Sequence, residues 1–278
     1  MPIAHVRGVN INYEVLGSAG PWVALSPGGR RALDNVKALA QHVADAGYRV
    51  LIHDRRNCGL SDIAIGAELS EYEVWGEDLH ELLSQLKALP AVLGGGSSGC
   101  RLSVLFALKY PHAVRALLLW RVTGGAFAAA RLPENYYGAF IRAAEDGGMT
   151  AVCATEQYRE RIAANPDTRD RLMKMDPKEY IKVMSNWQRQ FIESTRLEVF
   201  GMTEADLASI GVPTVLIPGN DRTHASESGR IAARAIPGCV LHQLPIEDQD
   251  VPIIPYTDWA PYEDEIARVF VDTMRRAG

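Results

Sequence analysis

Across residues 11–120 the chain switches repeatedly between two hydrophobic periods, and that switching limits its fold more than any other feature. Residues 11–16 alternate apolar and polar side chains, as a half-buried strand does. Residues 22–25, 49–52, 91–93 and 114–120 are short apolar runs bounded by turn residues, the pattern of strands buried on both faces of a parallel sheet. Helical patterns lie between them. Residues 33–46 carry Val36, Leu39, Ala40 and Val43 at helical spacing. Ser70 and Glu73 make a capping box ahead of a face formed by Trp75, Leu79, Leu82, Leu83 and Leu86. Residues 102–110 read as a further helix, stopped by Pro111. Strand and helix in strict alternation imply an α/β fold, a mostly parallel sheet covered by helices on both faces.

The alternation lapses between Gly124 and Asp206, where stretches such as 134–145 and 181–193 are helix-like and no strand is convincing. It resumes with strands at 213–217 and 240–244 and helices near 226–235 and 261–274. Two strands are too few for a separate sheet domain. The expected organisation is therefore a core of residues 1–123 and 207–278 interrupted by a helical cap insertion, 124–206.

Composition narrows the partners. A net charge of −5 argues against a broad nucleic-acid surface, which needs clustered lysine and arginine. No stretch approaches the ~20 apolar residues of a membrane helix, and no secretory signal is expected before the first strand. Cys58, Cys100, Cys153 and Cys239 lie far apart, which suggests neither a zinc site nor a disulfide framework. The expectation is a cytoplasmic protein with a small-molecule substrate, without metal or cofactor. The oligomeric state has no signature in the sequence.

The chemistry gathers at Gly95-Gly96-Ser97-Ser98-Gly99, a G-x-S-x-G run placed after a strand and before a helix. That placement fits a sharp turn presenting a nucleophilic serine, with flanking glycines where side chains would crowd. The turn also sets Ser97 at a helix N-terminus, whose amides favour a developing oxyanion. Ser98 as the nucleophile fits less well, because Cys100 would then fill the second glycine position.

Further segments extend the pattern. Leu25-Ser26-Pro27-Gly28-Gly29, Asp54-Arg55-Arg56-Asn57-Cys58-Gly59-Leu60-Ser61-Asp62, Tyr110-Pro111 with Val114, Pro218-Gly219-Asn220-Asp221, and Pro237-Gly238 with Leu244-Pro245 resemble successive motifs of the α/β-hydrolases. The resemblance covers nearly the whole chain outside the insertion, which lies where capped members such as carbon–carbon bond hydrolases place a helical lid. It implies Ser97 as nucleophile, amides of Gly28 or Gly29 with Ser98 as the oxyanion hole, and Asp221 as the acid of a triad.

It also implies a histidine just after Leu244-Pro245. Here the chain reads Ile246-Glu247-Asp248-Gln249-Asp250-Val251-Pro252, and residues 243–278 contain no histidine. Without a base a serine hydroxyl is a poor nucleophile, so simple esters would turn over slowly. His5, His42, His80 and His112 lie away from the ligand edge of such a sheet, and His242 reads as a strand residue. His53, at a strand end, reads as a packed side chain. His224 follows Asp221 by three positions, where the resemblance implies a residue lining the pocket. It is a candidate base, acid or substrate contact, with a loop brace as the alternative; a partner so near Asp221 meets it at a different angle from a histidine on the other loop. Glu247 or Asp248 would serve as base only if burial raised its pKa.

Arg30, Arg31, Arg55, Arg56, Arg101 and Arg121 follow strands or the elbow. Arg30 or Arg121 is the expected contact to an anionic substrate, with Tyr137 of the cap lining the pocket. The leading reading is a serine hydrolase of a small, carboxylate-bearing ester, lactone or carbon–carbon bond substrate. Two others stay open: a lyase or decarboxylase in which Ser97 only positions substrate, and a ligand-binding protein that has lost its base.

Overall fold

A strand that is apolar at every position must be covered on both sides, because successive side chains point to opposite faces. The computed structural model, which describes residues 2–66 and 69–277, meets that demand with two cores. Val23, Leu25, Val50, Ile52, Leu118 and Trp120 enter one core, while Ala24, Leu51, Leu117 and Leu119 from the same strands enter the other.

The sheet has eight strands: β1 (Ile3–Val6), β2 (Val9–Leu16), β3 (Trp22–Ser26), β4 (Arg49–His53), β5 (Ala91–Gly96), β6 (Val114–Trp120), β7 (Thr214–Ile217) and β8 (Val240–Leu241). Their order is β1-β2-β4-β3-β5-β6-β7-β8. The β1–β2 and β2–β4 pairs are antiparallel and all others are parallel. Helix α1 (Lys37–Asp45) covers one face, and α2 (Glu71–Gln85) and α3 (Ser98–Lys109) the other. The capping box at α2 is formed, with Ser70 Oγ accepting the Glu73 amide at 3.2 Å and Glu73 accepting the Ser70 amide at 2.8 Å.

Two elements differ from their sequence pattern. The helix expected over 33–46 begins as a separate 3₁₀ turn, Leu33–Val36, because the Leu33 amide donates to Asp54 Oδ1 at 2.7 Å and ties this turn to the loop after β4. The strand expected over 240–244 ends at Leu241, and the following His242 side chain turns to Glu265 at 2.8 Å.

Between β6 and β7, neighbours in the sheet, the chain makes α4 (Gly125–Pro133), α5 (Ala139–Ala154), α6 (Glu156–Ala164), α7 (Asp167–Met173), α8 (Pro177–Ser194) and α9 (Glu204–Ala208). A π-helical turn, Glu134–Gly138, joins α4 to α5. Helix α8 starts cleanly because Asp176 caps it and Pro177 occupies its first position. Its Tyr180, Val183, Met184, Trp187 and Phe191 form one buried face. Helices α10 (Ser226–Ala235) and α11 (Glu263–Arg276) complete the layers. Among the described residues no helix is long and apolar enough to cross a membrane.

Helix α3 is held close to β3: a Cβ on Gly99 would lie 2.2 Å from the Ser26 carbonyl oxygen, a backbone atom that cannot swing away. Gly99→Ala should therefore destabilise the protein by roughly 1–3 kcal/mol, seen as a drop of several degrees in thermal unfolding. An unchanged melting temperature would show that α3 does not pack this tightly.

Candidate functional site

Ser97 sits between the last residue of β5 and the first of α3 with φ 54° and ψ −115°, a left-handed backbone that a serine adopts only under constraint. The constraint comes from the sheet, since the Ser97 amide donates to the Trp120 carbonyl at 3.1 Å. The turn lifts Ser97 Oγ off the sheet edge, where His224 Nε2 lies at 2.9 Å and Thr123 Oγ1 at 3.3 Å.

His224 arrives there through a tight local turn. Asp221 Oδ1 accepts the Thr223 amide at 2.9 Å, the His224 amide at 2.8 Å and His224 Nδ1 at 3.0 Å. An aspartate that binds amides two and three residues ahead makes an Asx-type turn, and here the turn brings the imidazole onto its own carboxylate. A Cβ on Gly219 would come within 2.4 Å of His224 Cβ, so only glycine allows the chain to fold back this closely. A parallel bridge to Gly124 holds the His224 backbone beside the segment leaving β6.

The second oxygen of Asp221 accepts Arg121 Nη2 at 2.7 Å and the Ile254 amide at 3.0 Å, and Arg121 Nη2 also donates to the Ile254 carbonyl at 2.7 Å. Burial opposes the charge on Asp221, but the bonds from His224 and Ile254 and the charge of Arg121 outweigh it and hold the carboxyl well below the usual range. His224 is pushed down, first by burial and then by Arg121 and Arg131, against the opposing pull of Asp221. Its imidazole is therefore neutral near pH 7. A carboxylate only accepts, so Nδ1 carries the hydrogen and Nε2 is left to accept the Ser97 hydroxyl proton. Ser97, His224 and Asp221 thus stand in the geometry of a serine–histidine–aspartate relay, with all of its hydrogen bonds made.

Gly28 is in contact with the elbow: a Cβ there would be 3.2 Å from Ser97 Cβ. Arg55 Nη2 draws the Gly29 carbonyl to 2.5 Å and the Gly28 carbonyl to 3.4 Å. In a trans peptide the amide points opposite its carbonyl, so the Gly29 N–H faces away from Arg55. Ser98, the first residue of α3, has an amide without an acceptor inside the helix and a hydroxyl that accepts from Tyr72 Oη at 3.0 Å. Above them Tyr72, Ser97, Arg101, Thr123, Tyr136 and Phe191 line a narrow cavity whose free space, about 10 Å³, is that of a single water molecule. Among the described residues no group of three or more histidine, cysteine, aspartate or glutamate side chains is placed to hold a metal.

Comparison with known proteins agrees with this architecture. A family model described as alpha/beta hydrolase fold matches residues 21–121. The enol-lactonase from Burkholderia xenovorans LB400 superposes with a TM-score of 0.66 at 21% identity, over 99% of this chain and 100% of that one. The meta-cleavage product hydrolase from Pseudomonas fluorescens IP01 does so with a TM-score of 0.70 at 19% identity, over 100% and 98%. This chain is an α/β-hydrolase-fold protein. In sequence it is 34% identical over 113 residues to the uncharacterized hydrolase YraK of Bacillus subtilis, a match that spans 41% of each chain. The chain thus covers less than half the length of that curated relative.

The remaining site residues expected in this α/β-hydrolase-fold protein fall elsewhere. Arg30 makes a two-pronged bond to Glu71, 3.0 Å from each nitrogen, and Tyr137 Oη donates to the same carboxylate at 2.9 Å. Neither is among the residues lining the cavity. Arg121 is held through Nη2 by Asp221 and the Ile254 carbonyl and does not line the cavity, so the expected anion contact by Arg30 or Arg121 gives way to internal ion pairs. Glu247 and Asp248 are exposed on the loop lacking histidine, without the burial a carboxylate base requires. His53 is buried with neither ring nitrogen bonded, and burial with Arg55 nearby pushes it down to about 3. Sequence reasoning missed Thr123 beside the serine and Arg101 in the cavity wall. Arg101 was visible only as one of several arginines after strands, and Thr123 had no signal.

The buried charge of Arg121 disfavours protonation of His224. In Arg121→Met the His224 titration, followed by NMR of its ring protons, should move to higher pH than in the wild type. An unmoved or lowered midpoint would show that Arg121 does not act on His224.

Proposed function

We propose that this protein is a hydrolase in which Ser97 is the nucleophile, His224 the general base and Asp221 the acid that orients it. The substrate class is a small ester, lactone or carbon–carbon bond compound, and residues 124–206 act as a cap. The observation that carries the reading is the 2.9 Å separation of His224 Nε2 from Ser97 Oγ, with Nδ1 of the same ring bound to Asp221. A histidine on the acid's own turn, within reach of Ser97, favours hydrolysis over the slow ester turnover, lyase and binding-only readings.

For an ester the steps follow from the bonds present. Ser97 Oγ attacks the carbonyl carbon as its proton passes to His224 Nε2, and the carbonyl π electrons move onto oxygen. The amides of Ser98 and of Gly28 or Gly29 would receive that oxyanion. Collapse breaks the bond to the leaving alcohol, which takes the proton from His224 and leaves an acylated Ser97. Water, deprotonated by His224, then attacks the acyl carbon, and the acid leaves as Ser97 recovers its proton. Asp221 stays ionised throughout and stabilises the imidazolium. The names of the structural neighbours, an enol-lactonase and a meta-cleavage product hydrolase, support lactones and carbon–carbon bonds as classes to assay first. Four free cysteines suit the reducing cytoplasm as the compartment.

A fluorophosphonate probe should label Ser97, located by peptide mass spectrometry. Ser97→Ala and His224→Gln should each lower kcat/KM on 4-nitrophenyl butyrate by on the order of 10³-fold or more. Labelling of another residue, or wild-type kinetics in His224→Gln, would refute the assignment.

A further inference from the structure

The cavity wall holds a cation, Arg101, with which no acid among the described residues pairs. Arg101 lies four residues after Ser97 on α3, and helical side chains lean toward the N-terminus, so its guanidinium is carried back toward the elbow. It stacks over the Tyr72 ring at 4.1 Å and reaches the Phe191 ring at 5.4 Å. Nη1 donates to Ser194 Oγ at 3.1 Å, and Nε is buried without any partner. Among the described residues no carboxylate forms an ion pair with it. Of the other arginines near the site, Arg30 pairs with Glu71, Arg56 with Asp78 and Arg121 with Asp221, while Arg55, which donates to the carbonyls of Gly28 and Gly29 and leaves Nε and Nη1 unpaired, is not among the residues lining the cavity.

The Nε–Nη2 edge of this guanidinium lies against Gly201. A Cβ on Gly201 would come within 2.6 Å of Nη2 and 2.7 Å of Nε, so any other residue at 201 would press into that edge. Aromatic stacking fixes the plane of the group but satisfies none of its N–H donors. A partly buried cation with unsatisfied donors is costly unless an anion completes it, and the planar fork of arginine matches a carboxylate. Ser97 and Arg101 line the same cavity, so a molecule reacting at one can reach the other.

We propose that Arg101 is the anion-binding residue of this cavity and that the substrate carries a carboxylate, which Arg101 anchors while the scissile group lies at Ser97. The proposal rests on Ser97 marking the reacting end, and the experiment separates the two ideas. Three esters would be compared: neutral 4-nitrophenyl butyrate, mono-4-nitrophenyl glutarate with the carboxylate on the acyl side, and 4-carboxyphenyl butyrate with it on the leaving group. In Arg101→Met, kcat/KM for at least one anionic ester should fall on the order of 10-fold more than for the neutral ester, chiefly through KM, and Arg101→Lys should recover part of the loss. Which anionic ester responds tells on which side of the scissile bond the carboxylate lies. Equal changes for all three esters in both variants would overturn the proposal. Glutarate binding by calorimetry, compared between Ser97→Ala and the Ser97→Ala/Arg101→Met double variant, reads the anchor without turnover. Glutarate bound by the first and lost in the second supports it, even if no ester is hydrolysed, in which case the Ser97 reading alone fails. Equal binding by both, or binding by neither, overturns it.

Discussion

The carboxylate of Asp221 is the point on which the rest of the site depends. One oxygen organises its own turn through the amides of Thr223 and His224 and receives the imidazole; the other receives Arg121 and the Ile254 amide. Five donors converge on a buried anion, and each donor belongs to a segment that must be in place: the turn after β7, the residue after β6, and the loop after β8. Burial alone would favour neutralising this group, so its ionised form persists only because those segments are assembled. The same convergence fixes the ring of His224 against Ser97.

The loop after β8 keeps a structural part although it carries no histidine. Its backbone supplies the Ile254 amide to Asp221, accepts Arg121 at the Ile254 carbonyl, and accepts Thr223 Oγ1 at the Pro252 carbonyl at 2.6 Å. Asn220 ties it from the other side, donating to the Glu247 carbonyl at 3.1 Å. The helical insertion is likewise fastened by buried cations. Arg30 links the loop after β3 to Glu71 and to the Tyr136 carbonyl at 2.8 Å, and Arg161 of α6 donates to the carbonyls of Asn57 at 2.5 Å and Ser61 at 3.0 Å. Such contacts hold α4–α8 over the elbow and close the cavity to about the volume of one water molecule, so anything larger enters only if side chains such as Phe191 move.

The fold was legible because its signals are local and repeated. Apolar runs at 91–93 and 114–120, the capping box at Ser70 and the stop at Pro111 each depend on a few neighbouring residues, and each appears where the pattern put it, with β5 running on to Gly96. Where a distant partner intervened, the pattern fell short. The first turn of the helix expected over 33–46 is separated by the bond from Leu33 to Asp54, twenty-one residues away. Arg30, Arg121 and Tyr137 looked like pocket residues because they follow strands or sit in the insertion, but position along the chain does not show that Glu71 or Asp221 lies ready to pair with them.

The sequence by itself determined the sheet and the elbow at Ser97, because strand period and turn chemistry are properties of short segments, and it left His224, three residues after Asp221, open between a chemical role and a loop brace. It could not say which atom that histidine faces. Only the tertiary structure decided that His224 Nε2 meets Ser97 Oγ, since 127 residues separate them and the distance is set by the order of β5, β6 and β7 in the sheet. The same holds for Arg101, whose sequence neighbours do not show what its guanidinium packs against. That its guanidinium lines the cavity without an ion pair among the described residues is a consequence of where α8 and Gly201 pack, and packing is a property of the whole chain.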